Sequence, residues 1–444
     1  MEFKDIFSLA NKEINERLNG SSKNFKKSFA YDSDAIFKSS SVSGSMESLA
    51  ANESFGLSLI ETNEITSTIR RAFNKPAEPK RTIGCHPDFE HLKNTSVLEN
   101  GYSVTLFLDI AGSTKLGKLY PSEIVFNIKN TIIKYAIEII QSFDGHVHRI
   151  MGDAVMAFFR SNEKDRSGKI IDSGIDAINC AVYIIEFVEQ VITPYFGGIK
   201  IADPIGVRIG IDYGKNDDII WGNYGAFGAF EVTATSYYVD VAAKLQQRAK
   251  TNKIMIGSNL KKLLGFGAEY TGYLTRKKTK DGKPYDKEYK YVEPNYSIRG
   301  NQINYYQYEL DNKSYFSFLP YGQKNSDLSV SLKAIDKNGR EFYYYPCSLA
   351  LDRNLDLEFK VQFFSHAQSG IQIKSRKVNT GIDAKNNSAT KEKIRVHNAE
   401  YYNGSFNGTV SESTRYHGLH HMYISILKDS KPITNELCFS IFIS

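Results

Sequence analysis

Hydrophobic positions in the first two-thirds of the chain alternate between long helical stripes and short strand-like runs. Apolar residues recur every three or four positions over 122–143 and again over 168–191, which is the spacing of one buried helix face. An apolar, β-branched run at 104–108 and an apolar run at 154–159 are typical of buried strands, and a further strand is expected over 207–213. This alternation predicts an α+β domain in which helices cover one face of a mostly antiparallel sheet. Further elements are expected as a helix over 239–249 and strands over 219–222, 253–256 and 304–310.

The pattern changes after residue 310. Short strand-like runs, separated by Gly, Asn, Ser and Asp turns, replace the helical stripes. A compact all-β sandwich is therefore predicted for 311–444. The His417–His421 run lies in this part, and with no acidic or thiol partner nearby in the sequence we interpret it as ordinary loop histidines, not a metal site.

The chain begins with a leader, residues 1–95, in which no catalytic motif is visible. Helical periodicity over 3–18 and 57–73 flanks a polar, Ser-rich tract at 21–54. Packing on the next domain, a part in dimerisation and a flexible leader all remain open. The predicted domains are 1–95, 96–310 and 311–444.

Composition excludes several protein classes. A chain of 444 residues with 41% hydrophobic and 24% charged residues has room for two or three soluble domains. No apolar run is long enough to span a membrane, no signal-peptide core is present, and the four cysteines are scattered. These features predict a cytoplasmic protein with reduced thiols and no membrane partner. The net charge of +6 is mild, and the basic segment at 276–280 is interpreted as a solvated hairpin arm, so no nucleic-acid partner is expected.

Two stretches carry candidate chemistry. The strand at 104–108 ends at Asp109 and leads into a turn of small residues, Ala111, Gly112, Ser113 and Thr114. Such a turn leaves backbone N–H groups free to cradle phosphate oxygens. The stretch 145–159 has the pattern of a hairpin with Asp153 at its turn, and packing it beside the first strand brings Asp153 next to Asp109. Two carboxylates beside a phosphate-binding turn predict a Mg²⁺–nucleotide site.

These two stretches, with three others in the same order, resemble the class III nucleotidyl cyclase catalytic domain. The resemblance spans about two hundred residues and implies a ferredoxin-like fold and formation of a 3′,5′-cyclic nucleotide with release of pyrophosphate. The matching segments are Phe107–Thr114, Arg149–Asp153, Val207–Gly214, Trp221–Gly225 and Val239–Gln246.

The resemblance also assigns residues to roles. Asp109, Ile110 and Asp153 bind two Mg²⁺ or Mn²⁺ ions, one lowering the pKa of the ribose 3′-hydroxyl and the other bridging the triphosphate, which the turn at 111–114 binds. Asp240 and Lys244 are the catalytic pair, at positions where most family members have asparagine and arginine. Because lysine lacks the bidentate fork, two alternatives stay open: a surface i,i+4 ion pair, and a degenerate domain that binds nucleotide without turnover.

Base selection is implied for Arg149 and Thr233, a combination that matches neither the adenylyl nor the guanylyl cyclase pattern. The arginine fork suits the O2 and N3 acceptors of cytosine, whereas uracil has a hydrogen on N3; the O6 and N7 atoms of guanine also suit it. Thr233 can donate or accept a hydrogen bond and discriminates little. Tyr237 and Tyr238 are candidates for narrowing the pocket to a single ring.

The family pairs its catalytic domains head to tail, so the resemblance implies a homodimer with composite active sites. A cyclase with a short leader and a C-terminal β module further resembles the pyrimidine cyclases of the bacterial Pycsar anti-phage system. This architecture favours a pyrimidine nucleotide as substrate, and the arginine fork favours CTP over UTP, with ATP or GTP after both. It also implies a sensor role for 311–444 and a downstream effector of the cyclic nucleotide, whose identity the sequence does not give.

Overall fold

The structure is a computed structural model of the single chain. It describes residues 2–8, 64–76, 78–79, 82–160, 169–194, 205–226, 229–280, 283–294, 296–323, 328–365 and 370–444. The Ser-rich tract at 21–54 and most of the expected helix at 3–18 lie outside these residues. The described helices are α1 Phe3–Ile6, α2 64–72, α3 Ser113–Leu119, α4 Ser122–Ser142, α5 Ile170–Phe187, α6 Tyr237–Arg248, α7 Ser258–Leu263, α8 Asn312–Phe316 and α9 Gly381–Asn386.

The predicted helices over 122–143, 168–191 and 239–249 are confirmed as α4, α5 and α6, and α5 continues into a π-helical turn, Val188–Ile192. The predicted strands of this part are confirmed as well. Its strands are β1 Glu99–Asn100, β2 Ser103–Ala111, β3 Gly145–Met151, β4 Ala154–Phe159, β5 Gly206–Gly214, β6 Ile220–Ala226, β7 Ala229–Thr235, β8 Lys253–Gly257, β9 Thr271–Gly272, β10 Leu274–Lys280, β11 Lys283–Tyr289, β12 Tyr296–Ile298, β13 Asn301–Ile303 and β14 Gln307–Leu310.

Seven of these strands form the central sheet, in the order β3-β4-β2-β5-β8-β14-β9. All neighbouring pairs are antiparallel except β5 and β8, so the sheet is mostly antiparallel, as predicted. A separate three-stranded sheet, β1-β6-β7, carries Thr233. The hairpin β10–β11 is exposed, in agreement with the interpretation of the basic segment 276–280 as a surface arm.

Helices cover both faces of the central sheet, so the expectation of one covered face is wrong. Ile209 and Ile211 of β5 belong to the large core that α4 and α5 close. Gly210, between them, points the other way, and a Cβ on it would collide with the backbone of α6 at Ala242 and Gln246. Successive strand residues face opposite sides, so α6 packs directly on the second face. Helical periodicity identifies which face of a helix is buried but not the side of the sheet against which it packs.

The described parts of the leader pack onto this α+β domain. Phe3, Phe7 and Phe73 are fully or almost fully buried in its large core, where Phe7 contacts the ring of Phe187. Lys75, with its side chain completely buried, bridges Asp144 and Asp176 at 2.8 Å each. Of the three possibilities left open for residues 1–95, packing on the catalytic part is the one these contacts support.

The C-terminal part is a sandwich of two sheets, which confirms the predicted all-β module. Side chains from both sheets share one core, including Phe359 and Val410 of one sheet and Ile424 and Phe439 of the other. The first sheet has the order β16-β15-β18-β22-β21, and the second has the order β17-β25-β23-β19-β20 with β24 beside β23. The strands are β15 Leu328–Ile335, β16 Glu341–Tyr344, β17 Ala350–Leu351, β18 Asp356–Phe364, β19 Ile371–Asn379, β20 Lys393–Asn398, β21 Glu400–Tyr402, β22 Ser405–Ser413, β23 Gly418–Lys428, β24 Lys431–Pro432 and β25 Leu437–Ile443.

The prediction that His420 and His421 lie in a loop is wrong, because both are buried in β23. The Nε2 atom of His421 lies 2.5 Å from the hydroxyl of Tyr270, which precedes β9 of the α+β domain. The amide of Asn179 on α5 donates to the carbonyl of Cys347 at 2.9 Å. The sandwich is therefore joined to the α+β domain through buried polar contacts as well as apolar ones. Among the helices of the described residues, none is long and apolar enough to cross a membrane.

Candidate functional site

The two candidate metal-binding carboxylates are neighbours at one end of the central sheet. Asp109 lies near the end of β2, and Asp153 lies in the turn between β3 and β4. Strand pairing sets Asp109 opposite Ala154, and the Ile110 amide donates to the Asp153 carbonyl at 3.2 Å. Backbone hydrogen bonds thus fix the spacing that the sequence predicted. The Ile110 side chain is fully buried, so only its backbone is available as a ligand.

Each carboxylate faces a cation of the same chain. Arg208, opposite Asp109 in the register of β2 and β5, donates to the Asp109 carboxylate. Lys129 of α4 lies 3.9 Å from Asp153. Both carboxylates remain partly accessible, with 18% and 24% of their side chains exposed. These cations offset the mutual repulsion of the two acids until another positive charge replaces them.

Gly112 shapes the turn that follows Asp109. Its φ of +77° lies in the left-handed region that favours glycine, and it caps α3. No atom lies within 4 Å of where a Cβ would stand, so the backbone at this turn is open. Ala111 and Ser113 are buried while Thr114 is exposed, which leaves the main chain and Thr114 as the surface that a phosphate can meet.

A shallow groove of about 800 Å³ extends from this turn. Ala111 and Gly112 form one end of it, and the basic hairpin contributes its first residues on the other side. The arm over 276–280 is exposed, but its first residues line the same groove as the phosphate turn. Nothing in the sequence indicated this proximity. The cationic residues lining the groove are Arg208, Lys250, Arg276 and Lys277.

The two proposed base-selecting residues are brought close by the approach of β3 to β7. Arg149 donates from Nε to Glu231 Oε2 at 2.6 Å, and its Nη2 contacts the other oxygen of the same carboxylate. Glu231 and Thr233 lie two positions apart on β7 and so face the same side. One edge of the arginine fork is therefore engaged, while the edge formed by its two terminal nitrogens is directed away from Glu231.

Thr233 is buried and contacts His148, whose Nε2 lies 3.0 Å from the hydroxyl oxygen. The other ring nitrogen of His148, Nδ1, lies 2.8 Å from the carbonyl oxygen of Gly84. Burial lowers the pKa of His148 to about 4, with the positive charge of Arg149 acting in the same direction. The imidazole is therefore neutral at physiological pH.

Asp240 and Lys244 lie on α6. Their described contacts include neither the two metal-site carboxylates nor the base-selecting pair. Lys244 donates to the Tyr296 hydroxyl at 2.9 Å and lies over that ring, 4.7 Å from its centroid. Asp240 is exposed, and the Lys244 amine is directed to Tyr296 and forms no ion pair with Asp240 among the described contacts. The alternative interpretation of these residues as an i,i+4 ion pair is therefore not supported.

Tyr237 and Tyr238 pack against Tyr305, with ring centroids 5.7 Å away in both cases. Tyr305 in turn donates to Asp212 at 2.6 Å. Burial raises the pKa of Asp212 to about 7. The two tyrosines thus belong to a cluster beside α6, and their described contacts do not include Arg149 or Thr233.

The structure therefore brings together two groups of predicted residues and leaves a third apart. The metal pair adjoins the phosphate turn, and Arg149 adjoins Thr233, while the α6 pair contacts neither group. Sequence reasoning missed Arg208, Glu231 and His148. Arg208 was detectable from its place opposite Asp109 in paired antiparallel strands, whereas Glu231 and His148 required the contact between β3 and β7.

The donor set at Asp109 and Asp153 fits a hard divalent cation. Carboxylate and backbone oxygens are the ligands that Mg²⁺ and Mn²⁺ prefer. Across the described part of the chain, no three His, Cys, Asp or Glu side chains gather closely enough to hold a metal by themselves. Two carboxylates with open space beside them suit a metal that completes its shell with water and substrate phosphates.

Comparison with known proteins decides the family. Residues 99–289 match the family described as "Adenylate and Guanylate cyclase catalytic domain", and residues 308–444 match "Adenylyl/Guanylyl and SMODS C-terminal sensor domain". A protein of Escherichia coli named "Cytidylate cyclase" is 39% identical over the full length of both chains. The chain belongs to the class III nucleotidyl cyclases.

A second relative and a solved structure extend this comparison. A "Cytidylate cyclase" of Staphylococcus aureus is 32% identical, over 85% of this chain and 86% of that protein. The crystal structure of the adenylyl cyclase CyaB from P. aeruginosa matches 48% of this chain and 95% of its own, with 17% identity and a TM-score of 0.37. The predicted class III cyclase fold with a C-terminal all-β domain is confirmed, and this cyclase is a lyase that acts on a nucleotide.

Proposed function

We propose that this cyclase converts CTP to 3′,5′-cyclic CMP and pyrophosphate. The observation that carries the proposal is the 39% identity to the E. coli cytidylate cyclase over the whole of both chains. The site supports it, because Arg149 keeps one edge of its guanidinium directed away from Glu231 and available to the O2 and N3 acceptors of cytosine. Uridylate cyclase is the next candidate, followed by adenylate or guanylate cyclase.

The proposed roles are those that the family resemblance implies, and the geometry is compatible with them. Asp109, Asp153 and the Ile110 backbone would hold two Mg²⁺ or Mn²⁺ ions, which would supply Lewis acidity toward the 3′-hydroxyl and the phosphates. The open turn at Ala111, Gly112, Ser113 and Thr114 binds phosphate oxygens through its backbone. Arg208 and Lys129, which contact these carboxylates, would have to give up the two contacts for the acids to act as ligands.

Catalysis requires a second chain in this proposal. Lys244 supplies positive charge to the phosphorus in the transition state, and Asp240 orients the ribose. Lys244 contacts Tyr296 and does not contact Asp109 or Asp153 of its own chain. A head-to-tail homodimer would instead place Lys244 over the metal site of the partner chain. Each dimer then has two equivalent composite sites.

The wider role is also part of the proposal. The described parts of the leader, 1–95, pack on the catalytic domain 96–310, and 311–444 senses a signal that releases activity. The product acts as a second messenger in anti-phage defence, read by an effector protein. A cytoplasmic location suits the four free cysteines.

The test is a rate measurement with each of the four ribonucleoside triphosphates, in Mn²⁺ and in Mg²⁺, using the full chain. Cyclic CMP is expected to form fastest. A preference for UTP would move the assignment to uridylate cyclase, and a preference for ATP or GTP would exclude a pyrimidine cyclase. Absence of any cyclic product, with nucleotide still bound, would instead support the degenerate domain suggested by aspartate and lysine at 240 and 244.

A further inference from the structure

His148 connects the segment before the catalytic domain to the residue proposed to face the base. Its side chain has no exposed surface. The two ring nitrogens contact different partners, the Gly84 carbonyl oxygen at 2.8 Å and the Thr233 hydroxyl at 3.0 Å. Gly84 is itself held in place, because its amide donates to the Val147 carbonyl at 3.1 Å.

These contacts determine which atom carries each hydrogen. A carbonyl oxygen only accepts, so Nδ1 of His148 carries the ring hydrogen and donates it to Gly84. Burial keeps the pKa of His148 well below neutrality, so Nε2 has no hydrogen and accepts. The Thr233 hydroxyl therefore donates its single hydrogen to His148. Toward any other group, the Thr233 oxygen can then only accept.

We propose that His148 fixes Thr233 as a hydrogen-bond acceptor, so that the site selects a base with an exocyclic amino group over one with a carbonyl group. Cytosine and adenine present an amine at this position, whereas uracil and guanine present an oxygen. The inference rests on the proposed function, in which Arg149 and Thr233 face the base. It assigns to His148 a positioning role, because the imidazole acts through Thr233 and does not touch the substrate.

Glu231 and His146 also lie beside these hydrogen bonds. Glu231 lies 3.8 Å from Nε2 of His148 and holds one edge of the Arg149 guanidinium, so donor and acceptor are fixed side by side. His146 also contacts the Gly84 carbonyl, at 3.0 Å, and burial lowers its pKa as well. Cytosine offers two acceptors, O2 and N3, and one donor, the 4-amino group, along a single edge. The free N–H donors of Arg149 can meet O2 and N3, and the Thr233 oxygen can accept from the 4-amino group beside them.

The test is a double-mutant cycle on the preference for CTP over UTP, measured as the ratio of the two kcat/KM values for the full-length enzyme. His148→Phe keeps a ring of similar size but frees the Thr233 hydroxyl to donate, and we expect the preference to fall about tenfold through a gain with UTP. Thr233→Val removes the hydroxyl, and adding His148→Phe to it should change the preference no further. Equal effects of His148→Phe in both backgrounds, or no effect, would show that His148 acts only on packing.

A measurement on the unmodified enzyme covers the case in which the His148 variant does not fold. The triphosphate of pyrimidin-2-one riboside keeps O2 and N3 but has hydrogen in place of the 4-amino group. In the unmodified enzyme, we expect the kcat/KM of this analogue to be about tenfold below that of CTP. In the Thr233→Val variant, we expect the analogue and CTP to have equal kcat/KM values. Equal use of both nucleotides by the unmodified enzyme would overturn the inference. Failure to make cyclic CMP at all would overturn the proposed function instead, so the two outcomes are distinct.

Discussion

At the scale of single residues, the proposed chemistry depends on carboxylates held by the backbone and balanced by removable cations. Asp109 is paired with Arg208, and Asp153 lies near Lys129, so each acid has a compensating charge within the chain. Both pairs are partly exposed, which limits their contribution to stability. This small contribution to stability is compatible with the proposed role of both acids as metal ligands.

Asp109→Asn should remove cyclase activity while leaving the fold intact. Asparagine has the same shape but is a neutral, weaker ligand, so turnover should fall at least about a thousandfold. The matched control is Asp217→Asn, since Asp217 is exposed and lies in a short 3₁₀ turn outside the site. Rates of cyclic CMP formation and thermal unfolding curves provide the comparison. Near-normal turnover in Asp109→Asn would refute the metal assignment.

Residue types and their order allowed Asp109, Asp153 and the glycine turn to be predicted from the sequence, because each belongs to one strand–turn unit. The neighbours of Arg149 could not be predicted in this way. The register between β3 and β4 shifts between Val147 and Arg149, and a bulge changes the side to which following residues point. Simple strand alternation gives no indication that both His148 and Arg149 contact β7.

At the scale of elements, the site depends on how closely α6 packs on the central sheet. Gly210 permits this approach, because any side chain there would meet the α6 backbone at Ala242 and Gln246. The sequence predicted the helix and the strand, but the side on which they meet is a tertiary property. A glycine in the interior of an otherwise β-branched strand was the available signal.

Gly210→Ala should therefore displace α6 together with Asp240 and Lys244. We expect a destabilisation of about 2 kcal/mol from overpacking and a loss of activity of at least about tenfold. Gly272→Ala is the matched control, because a Cβ at that strand position meets no atom within 4 Å. Urea unfolding and initial rates measure both effects. If Gly210→Ala behaves like Gly272→Ala, the close packing of α6 is wrong.

At the scale of the whole molecule, buried histidines occur in both the catalytic part and the sandwich. Burial lowers the pKa of His148 and His420 to about 4 and that of His421 to about 3. The unfolded chain binds protons at these residues below about pH 6.5, whereas the folded chain does not, so stability is lost as the pH falls from 6.5 toward 4. Asp212 opposes this trend, because its raised pKa of about 7 favours the folded state at low pH.

Four imidazoles, with His146 included, outweigh the two carboxyl groups whose pKa burial raises, Asp212 and Glu186, so the free energy of unfolding should increase from pH 4.5 to pH 6.5. Each buried imidazole contributes at most about 1.4 kcal/mol per pH unit in this range. Urea unfolding at several pH values measures the slope, and His421→Gln should reduce it. A flat or falling profile over this range in the unmodified protein would contradict the burial of these side chains as neutral groups.

The most direct test of the proposed composite cytidylate cyclase is complementation between two variants expected to be inactive, Asp109→Ala and Lys244→Ala, assayed with CTP. In a head-to-tail heterodimer both lesions fall in one site and the other site is intact. If subunits exchange freely in an equimolar mixture, half of the dimers are mixed and each has one working site, so cyclic CMP formation should recover to about a quarter of the unmodified rate. No recovery in heterodimers verified by differential tagging would contradict the composite site.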